Sequence, residues 1–475
     1  MKDNEEILIL GAGPAGLSAA FTLCRESRPC VMIEKDAVVG GLSKTIRRGD
    51  FFTDIGGHRF FSQNQYLYDM IADLLGERWV KVERLSRFYV EKKFFLYPVN
   101  LREVWAKMGT RRVSKIVSHY LFEKARKTFS PIHPVSFEEK VVSSFGRELA
   151  QMLMLDYTEK VWGLPCSGIS SDWVDQRIKN LSLREIVLNA VKRRPNAPKT
   201  LVHQFFYPER GIGDIFETMR DRVLAGSGSR ILFESRPLRL EHDGSVIRKA
   251  IIQRADEVVE ITPGQLLASI PITEVISLLT PRAPEEIRRH ADALRFRAHL
   301  SLFITLKRAS ASAAQWLYFP EKRVPFGRIM EPRNWSRLLS PSGTTSLLVE
   351  FFCWEGDELW KKDATGLLAL ALPTLTEIGF IAPGEIIDTY VHREPSAYPV
   401  YGLGYQEHLT AVKKYLAQFK NLQLIGRSGR FRYNNMDHAI ETGILAARNI
   451  IEGPRYDLDN IASEKEYFER GYIRS

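Results

Sequence analysis

The chain has 475 residues, enough for about three ordinary domains or for one large enzyme with insertions. A hydrophobic content of 44%, a charged content of 26% and an aromatic content of 11% belong to a folded globular chain and exclude disordered, collagen-like and coiled-coil classes, while the net charge of +10 would suit nucleic acid, a membrane surface or a small anionic substrate. The densest apolar stretch, 366–373, is too short to cross a bilayer and residues 1–6 are too acidic for a signal peptide, so the chain reads as cytoplasmic. Cys24, Cys30, Cys166 and Cys353 form no Cys-x-x-Cys pair and no metal-like spacing with the histidines; neither a disulfide framework nor a metal site is expected.

The run Ile7-Leu8-Ile9-Leu10 is continuously apolar, as a parallel strand buried on both faces requires, and it leads straight into Gly11-Ala-Gly13-Pro-Ala-Gly16. A helix follows to about Arg25. A second apolar strand, Cys30 to Ile33, ends at Glu34, which stands 18 positions beyond the third glycine. This is the setting of a dinucleotide site. Glycines at 11, 13 and 16 permit a tight turn, the approach of a pyrophosphate to the backbone and close helix–strand packing, while Glu34 can accept from a ribose hydroxyl. The doublet Gly40-Gly41, where a flavin enzyme brings backbone close to its extended cofactor, favours FAD over NAD. Later glycine pairs at 211/213, 226/228 and 402/404 lack a third glycine, so no second dinucleotide domain is expected.

From Leu101 to Leu149 the pattern turns helical and basic, with Lys107, Arg111, Arg112, Lys115, Lys124, Arg126 and Lys127. Residues 192–199 break all periodicity and read as an exposed loop. Short β-like segments follow at 230–234, 249–253, 258–261, 299–306 and 346–352. The last periodic segment, 436–451, puts Met436, Ile440, Ile444, Ala447 and Ile451 on one face, with Asn434 or Asn435 as its cap. The expected fold is α/β: a Rossmann-like FAD-binding domain of the two-dinucleotide-binding superfamily built from 1–100, 201–285 and 401–475. A helical insertion at 101–200 and an antiparallel β-sheet substrate domain at 286–400 complete it.

The segment Asp156-Tyr157-Thr158-Glu159-Lys160-Val161-Trp162-Gly163 resembles the Tyr-Thr-Glu-Lys-x-Trp-Gly signature of the UDP-galactopyranose mutases. Asp54-Ile-Gly-Gly-His58 is similar to that family's Gly-x-His segment, Tyr97-Pro-Val-Asn100 to its Pro-x-Asn turn, and Val324-Pro-Phe-Gly-Arg328-Ile-Met-Glu331 to its Val-Pro-Tyr-x-Arg-Ile-x-Glu segment. Glu394-Pro-Ser-Ala-Tyr398 and Gly426-Arg427 through Tyr433-Asn434-Asn435-Met436 resemble the two C-terminal motifs. Arg-Tyr-Asn-Asn-x-Asp-His also resembles the wider protoporphyrinogen-oxidase-like group of the amine oxidase superfamily, flavoproteins of cell-surface polysaccharide pathways.

The resemblance implies FAD and a nucleotide-linked or lipid-linked sugar substrate. It implies catalytic roles for Arg328, Trp162 and His58, and cofactor contacts from Gly11, Gly13, Gly16, Glu34, Gly40, Gly41, Gly426, Arg427 and Met436. The helix beginning near Met436 would point its N-terminus at the flavin pyrimidine. Substrate contacts would come from Tyr157, Trp162, Arg177, Arg328, Tyr398, Tyr433 and Asn435. Two positions depart from the mutase pattern. Its second arginine falls on Leu181, which removes a bidentate phosphate clamp and leaves Arg333 or Lys179 as substitutes, and its Tyr-x-Asp becomes Tyr433-x-Asn435.

The implied activity is a redox-neutral pyranose–furanose isomerisation that uses reduced flavin. Leu181 and Asn435 leave open an FAD-dependent oxidase or desaturase of a sugar or lipid-linked intermediate, and a non-catalytic flavin scaffold stands as a third class. Each aromatic pick also has a packing reading, and Arg328 one as the buried partner of Glu331 or Glu350. The basic helices at 107–127 read either as a solvated face or as a peripheral contact with the inner face of the membrane. No helix-turn-helix, zinc module or RNP-like strand appears, so nucleic acid is not expected as a partner.

Overall fold

Alternate residues of the first apolar run go to opposite faces of a five-stranded parallel sheet. The structure, a computed structural model, describes residues 6–62, 64–97, 101–129, 134–177, 204–226 and 228–461. The sheet order is Leu422–Leu424, Pro263–Ala268, Glu6–Leu10, Cys30–Ile33, Arg230–Leu232, all parallel. Ile7, Ile9, Met32 and Leu267 join one hydrophobic core; Leu8, Leu10, Val31, Ile33 and Leu266 join another across the sheet. Both faces are covered, which is why these strands are apolar without alternation.

The helix Pro14–Arg25 follows the glycine turn and packs against the C-terminal helix Met436–Glu452, to which Ser18 Oγ is tied by donating to the Ile440 carbonyl at 2.9 Å. A Cβ on Gly16 would lie 2.0 Å from the Gly11 carbonyl oxygen, so only glycine lets the first helix sit this close to the turn. Asn435 takes the N-cap position of the last helix. Its side chain makes no capping bond, and the extended backbone alone sets the helix entry.

A seven-stranded sheet runs in the order Ile386–Pro399, Phe296–Leu306, Thr345–Cys353, Arg328–Met330, Trp316–Tyr318, Ser86–Val90, Lys93–Leu96. It is antiparallel except where Trp316–Tyr318 meets Ser86–Val90. Those last two strands come from the stretch that sequence assigns to the cofactor domain, and they join because Tyr89 and Phe94 pack into the third core with Phe319 and Phe380. A four-stranded sheet, Glu257–Ile261, Ile247–Arg254, Ser235–His242 and Leu279–Thr280, flanks the parallel one.

The segment 101–177 is helical wherever it is described as regular structure, apart from its turns. Leu101–Phe129 is broken at Gly109, where φ is 80° and ψ 171°, and packs on Phe137–Phe145 and Arg147–Ala150. The side chain of Arg177, residues 98–100 of the Pro-x-Asn turn, Lys179, Leu181 and the loop expected at 192–199 lie outside the described residues.

Candidate active site

A cavity of about 500 Å³ opens at the C-terminal ends of the parallel strands, where a doubly wound sheet leaves its crevice. Gly11, Gly13, Glu34, Gly41, Ser43 and Lys44 line one end. His58, Gly426, Arg427, Asn435 and Met436 line the other. Gly16 and Gly40 sit beneath this surface, and Gly40 donates from its backbone N to the Ala12 carbonyl at 2.9 Å.

The glycine end is a cradle of bare backbone. A Cβ on Gly41 would lie 3.1 Å from Gly13 Cα, so the two loops approach with no side chain between them and the cavity. Glu34 ends the second strand and braces this turn. One carboxylate oxygen accepts from the Ala12 N at 2.8 Å, the other from the Asp36 N at 3.0 Å, and burial raises its pKa against the pull of those bonds. Lys44, 4% exposed, bridges the carboxylates of Asp36 and Glu394. Burial works to raise the Glu394 carboxyl, but His392, Lys44 and Lys35 more than offset it and hold it at about 2.

At the far end, the Arg427 guanidinium donates to the Asn434 carbonyl at 2.6 and 3.2 Å and to the Ala397 carbonyl at 3.3 Å, while lying over the rings of Tyr433 and Tyr398. The two tyrosines stack with centroids 5.7 Å apart. His58 Nδ1 is buried with no hydrogen-bond partner among the described residues, and burial together with Arg427 and Arg328 pushes the imidazole down to about 3, so it is neutral at physiological pH.

Beyond His58 the seven-stranded sheet brings a second group together. Arg328 pairs in register with Glu350, and its Nε and Nη2 both donate to Glu350 Oε2, the former at 2.9 Å; Nη2 also reaches the Tyr398 hydroxyl at 3.3 Å. His299 Nε2 meets the same Glu350 oxygen at 3.0 Å. Glu350 is 1% exposed; burial would raise it, yet Arg328 and His299 hold it at about 2. Glu331 takes no part. It accepts from the backbone N of Ala311 and Ser312 and from Thr345 Oγ1. Arg333 Nη1 donates to the carbonyls of Ser340, Pro341 and Thr344, which fixes this end of the guanidinium on the backbone.

The helix Asp156–Trp162 explains its own motif. Tyr157 meets Tyr318 edge to face, and burial holds its hydroxyl well above the usual value. Lys160 Nζ donates to the carbonyls of Phe319, Glu321 and Phe326 at 2.6, 2.8 and 3.0 Å, clamping the loop that leads to Arg328. Trp162 is 2% exposed and backs the tyrosine pair, meeting Trp173, Tyr433 and Tyr398 edge to face. Gly163 ends the helix at φ 64°, and a Cβ there would meet the Arg297 guanidinium at 2.5 Å. Ser269, Lys44, Tyr318, Glu350 and His299 belong to no motif legible in the sequence, because each reaches the site through strand register or chain closure.

Among the described residues no cluster of three or more metal-ligating side chains is present, and no helix is long and apolar enough to cross a membrane. The cradle of bare backbone, the braced acidic residue and the unpartnered ring nitrogen fit an extended dinucleotide. The fold is similar to that of a reduced UDP-galactopyranose mutase, with a TM-score of 0.82 and 23% identity over 98% of this chain and 97% of that one. A protoporphyrinogen-oxidase-like protein from Exiguobacterium sp. 255-15 is similar with a TM-score of 0.70 and 17% identity, covering 94% and 98% of the two chains. A protein from Klebsiella pneumoniae named a probable UDP-galactopyranose mutase is 26% identical over 175 residues, 35% of this chain and only 43% of that relative. The pattern of the flavin-containing amine oxidoreductases matches residues 14–451, from the helix after the glycine turn to the end of the last helix; the chain belongs to this family and is an FAD enzyme.

Proposed function

We propose that the protein is a mutase-like flavoenzyme that interconverts the pyranose and furanose forms of a nucleotide-linked or lipid-linked sugar for cell-surface polysaccharide. The observation that carries this reading is the Arg328 fork: a cation among the hydroxyls of Tyr157, Tyr318 and Tyr398, next to His58 at the end of the cofactor cavity. Such a group neutralises a diphosphate leaving group. Bound FAD supplies a ring that is nucleophilic when reduced. Around it, the N-terminus of the helix Met436–Glu452 offers the positive end of its dipole, and Arg427 adds a fixed charge. Neutral His58 offers a hydrogen bond without adding charge, and Tyr398 and Tyr433, backed by Trp162, offer hydroxyls to phosphate oxygens. The likeness to mutases in fold and in the Tyr157–Gly163 segment supports the same reading.

A second reading, FAD-dependent oxidation of a sugar or lipid-linked intermediate, is favoured by one observation: Glu350 already neutralises Arg328. Incubating reduced and oxidised enzyme separately with UDP-galactofuranose and other nucleotide sugars distinguishes the two. Conversion of ring form by the reduced enzyme, with no net change in flavin absorbance, is the expected result. Bleaching of the oxidised flavin by substrate, without ring isomerisation, overturns the mutase reading in favour of oxidation.

A further inference from the structure

We propose that the outward face of the helix Leu101–Phe129 docks the enzyme on an anionic lipid surface. At 100° per residue, Leu121, Phe122, Ala125 and Phe129 fall within an arc of about 100°, with Arg111, Ser114 and Ser118 continuing the same face about one to three turns earlier. Leu121 is 56% exposed, Phe122 66% and Phe129 89%, while Ile116 and Glu123 on the opposite side are buried. Large apolar side chains this exposed and this close together are unlike the scattered ones of an ordinary surface. Trp105, 58% exposed, lies on the same helical segment before the break at Gly109.

The charge says what covers this face. Residues 101–129 carry eight Lys and Arg against two Glu, a net +6 out of +10 for the whole chain. Lys115 and Arg126 edge the apolar arc on one side and Lys124 on the other. Arg111 and Lys124 make no ion pair with the described residues, so their charge is free for an outside partner. An apolar centre with basic edges suits a bilayer, where aromatic and aliphatic groups enter the acyl boundary and cations meet anionic headgroups. A second copy of the chain is disfavoured because a two-fold contact through this face would set two +6 helices against each other. Lipid docking here does not depend on what the active site transforms.

The test is co-sedimentation of the FAD-loaded enzyme with vesicles of phosphatidylcholine alone or with added phosphatidylglycerol. Binding is expected on the anionic vesicles and should fall at least about tenfold in Arg111→Glu/Lys124→Glu and in high salt. Phe122→Ser/Phe129→Ser should lose binding too, with flavin content unchanged. Equal partition to both vesicle types, or no binding to either, overturns the proposal. Binding that survives the phenylalanine substitutions overturns it as well, because a merely electrostatic contact needs no apolar centre. If those substitutions instead dissociate a dimer in sedimentation velocity, the occupant is a second copy and the lipid assignment fails.

Discussion

Arg328→Lys separates a role in turnover from a role in holding the fold. Arg328 makes two bonds to Glu350 Oε2 and one to the Tyr398 hydroxyl, so lysine keeps the charge and one contact but loses the planar fork. A charge-assisted hydrogen bond is worth about 1.5–3 kcal/mol. If the lost arm acts on charge that develops during reaction, turnover should fall by about tenfold to a hundredfold. The flavin spectrum should be unchanged and the melting temperature nearly so. Arg328→Ala is the stability control: it strands Glu350, 1% exposed, with only His299, and should cost about 3–5 kcal/mol. Turnover with UDP-galactofuranose, flavin content and melting temperature are measured on the same preparations. Parent-like turnover in Arg328→Lys beside a clear loss of stability would show that the arginine is only Glu350's counter-ion, and the oxidative reading would then stand.

Gly13→Val should abolish FAD uptake, because a branched side chain would fill the gap against Gly41, and flavin retained at parent affinity refutes this. Glu34→Ala should weaken but not abolish uptake while also lowering stability, since the backbone N–H groups of Ala12 and Asp36 lose their acceptor, at about 1–3 kcal/mol for each one left unpaired; an unchanged melting temperature counts against the bracing role. FAD should leave with trichloroacetic acid precipitation, as expected of a cofactor held by backbone contacts, and yellow protein in the pellet would show a covalent link. Glu350 and Glu394 are both held at about 2, below the usual carboxylate value of about 4.3. A depressed carboxyl contributes stability that is full above the unfolded value and is lost as the pH falls through the folded one, so the melting temperature should drop steeply between about pH 4 and 2. Glu394→Gln should flatten that drop; parallel profiles for parent and variant would refute the assignment.

The glycine turn is legible in the sequence because its determinants are local. Strand, turn, helix and acidic residue all fall within residues 6–34, and Glu34 returns to the Ala12 N only 22 positions away. The last helix is equally plain from its apolar spacing, although its cap is not, since Asn435 holds the position without making the bond. The Tyr157–Gly163 segment can be recognised without being explained: Lys160 reaches carbonyls at 319, 321 and 326, and Trp162 finds Tyr433, all contacts across more than 150 residues.

Composition, periodicity and the order of its motifs by themselves determined that this chain is an α/β flavoprotein with an inserted helical segment. Which acid faces Arg328 was decided only in three dimensions. Glu331, three residues away, goes to the backbone of 311 and 312, and Glu350 takes the guanidinium because the register of Arg328–Met330 against Thr345–Cys353 sets the two opposite each other. The same holds for Lys44 and Glu394, 350 positions apart. Periodicity and turn chemistry act through neighbours along the chain, whereas a buried charge must pair with whichever group closure of the sheets brings within reach.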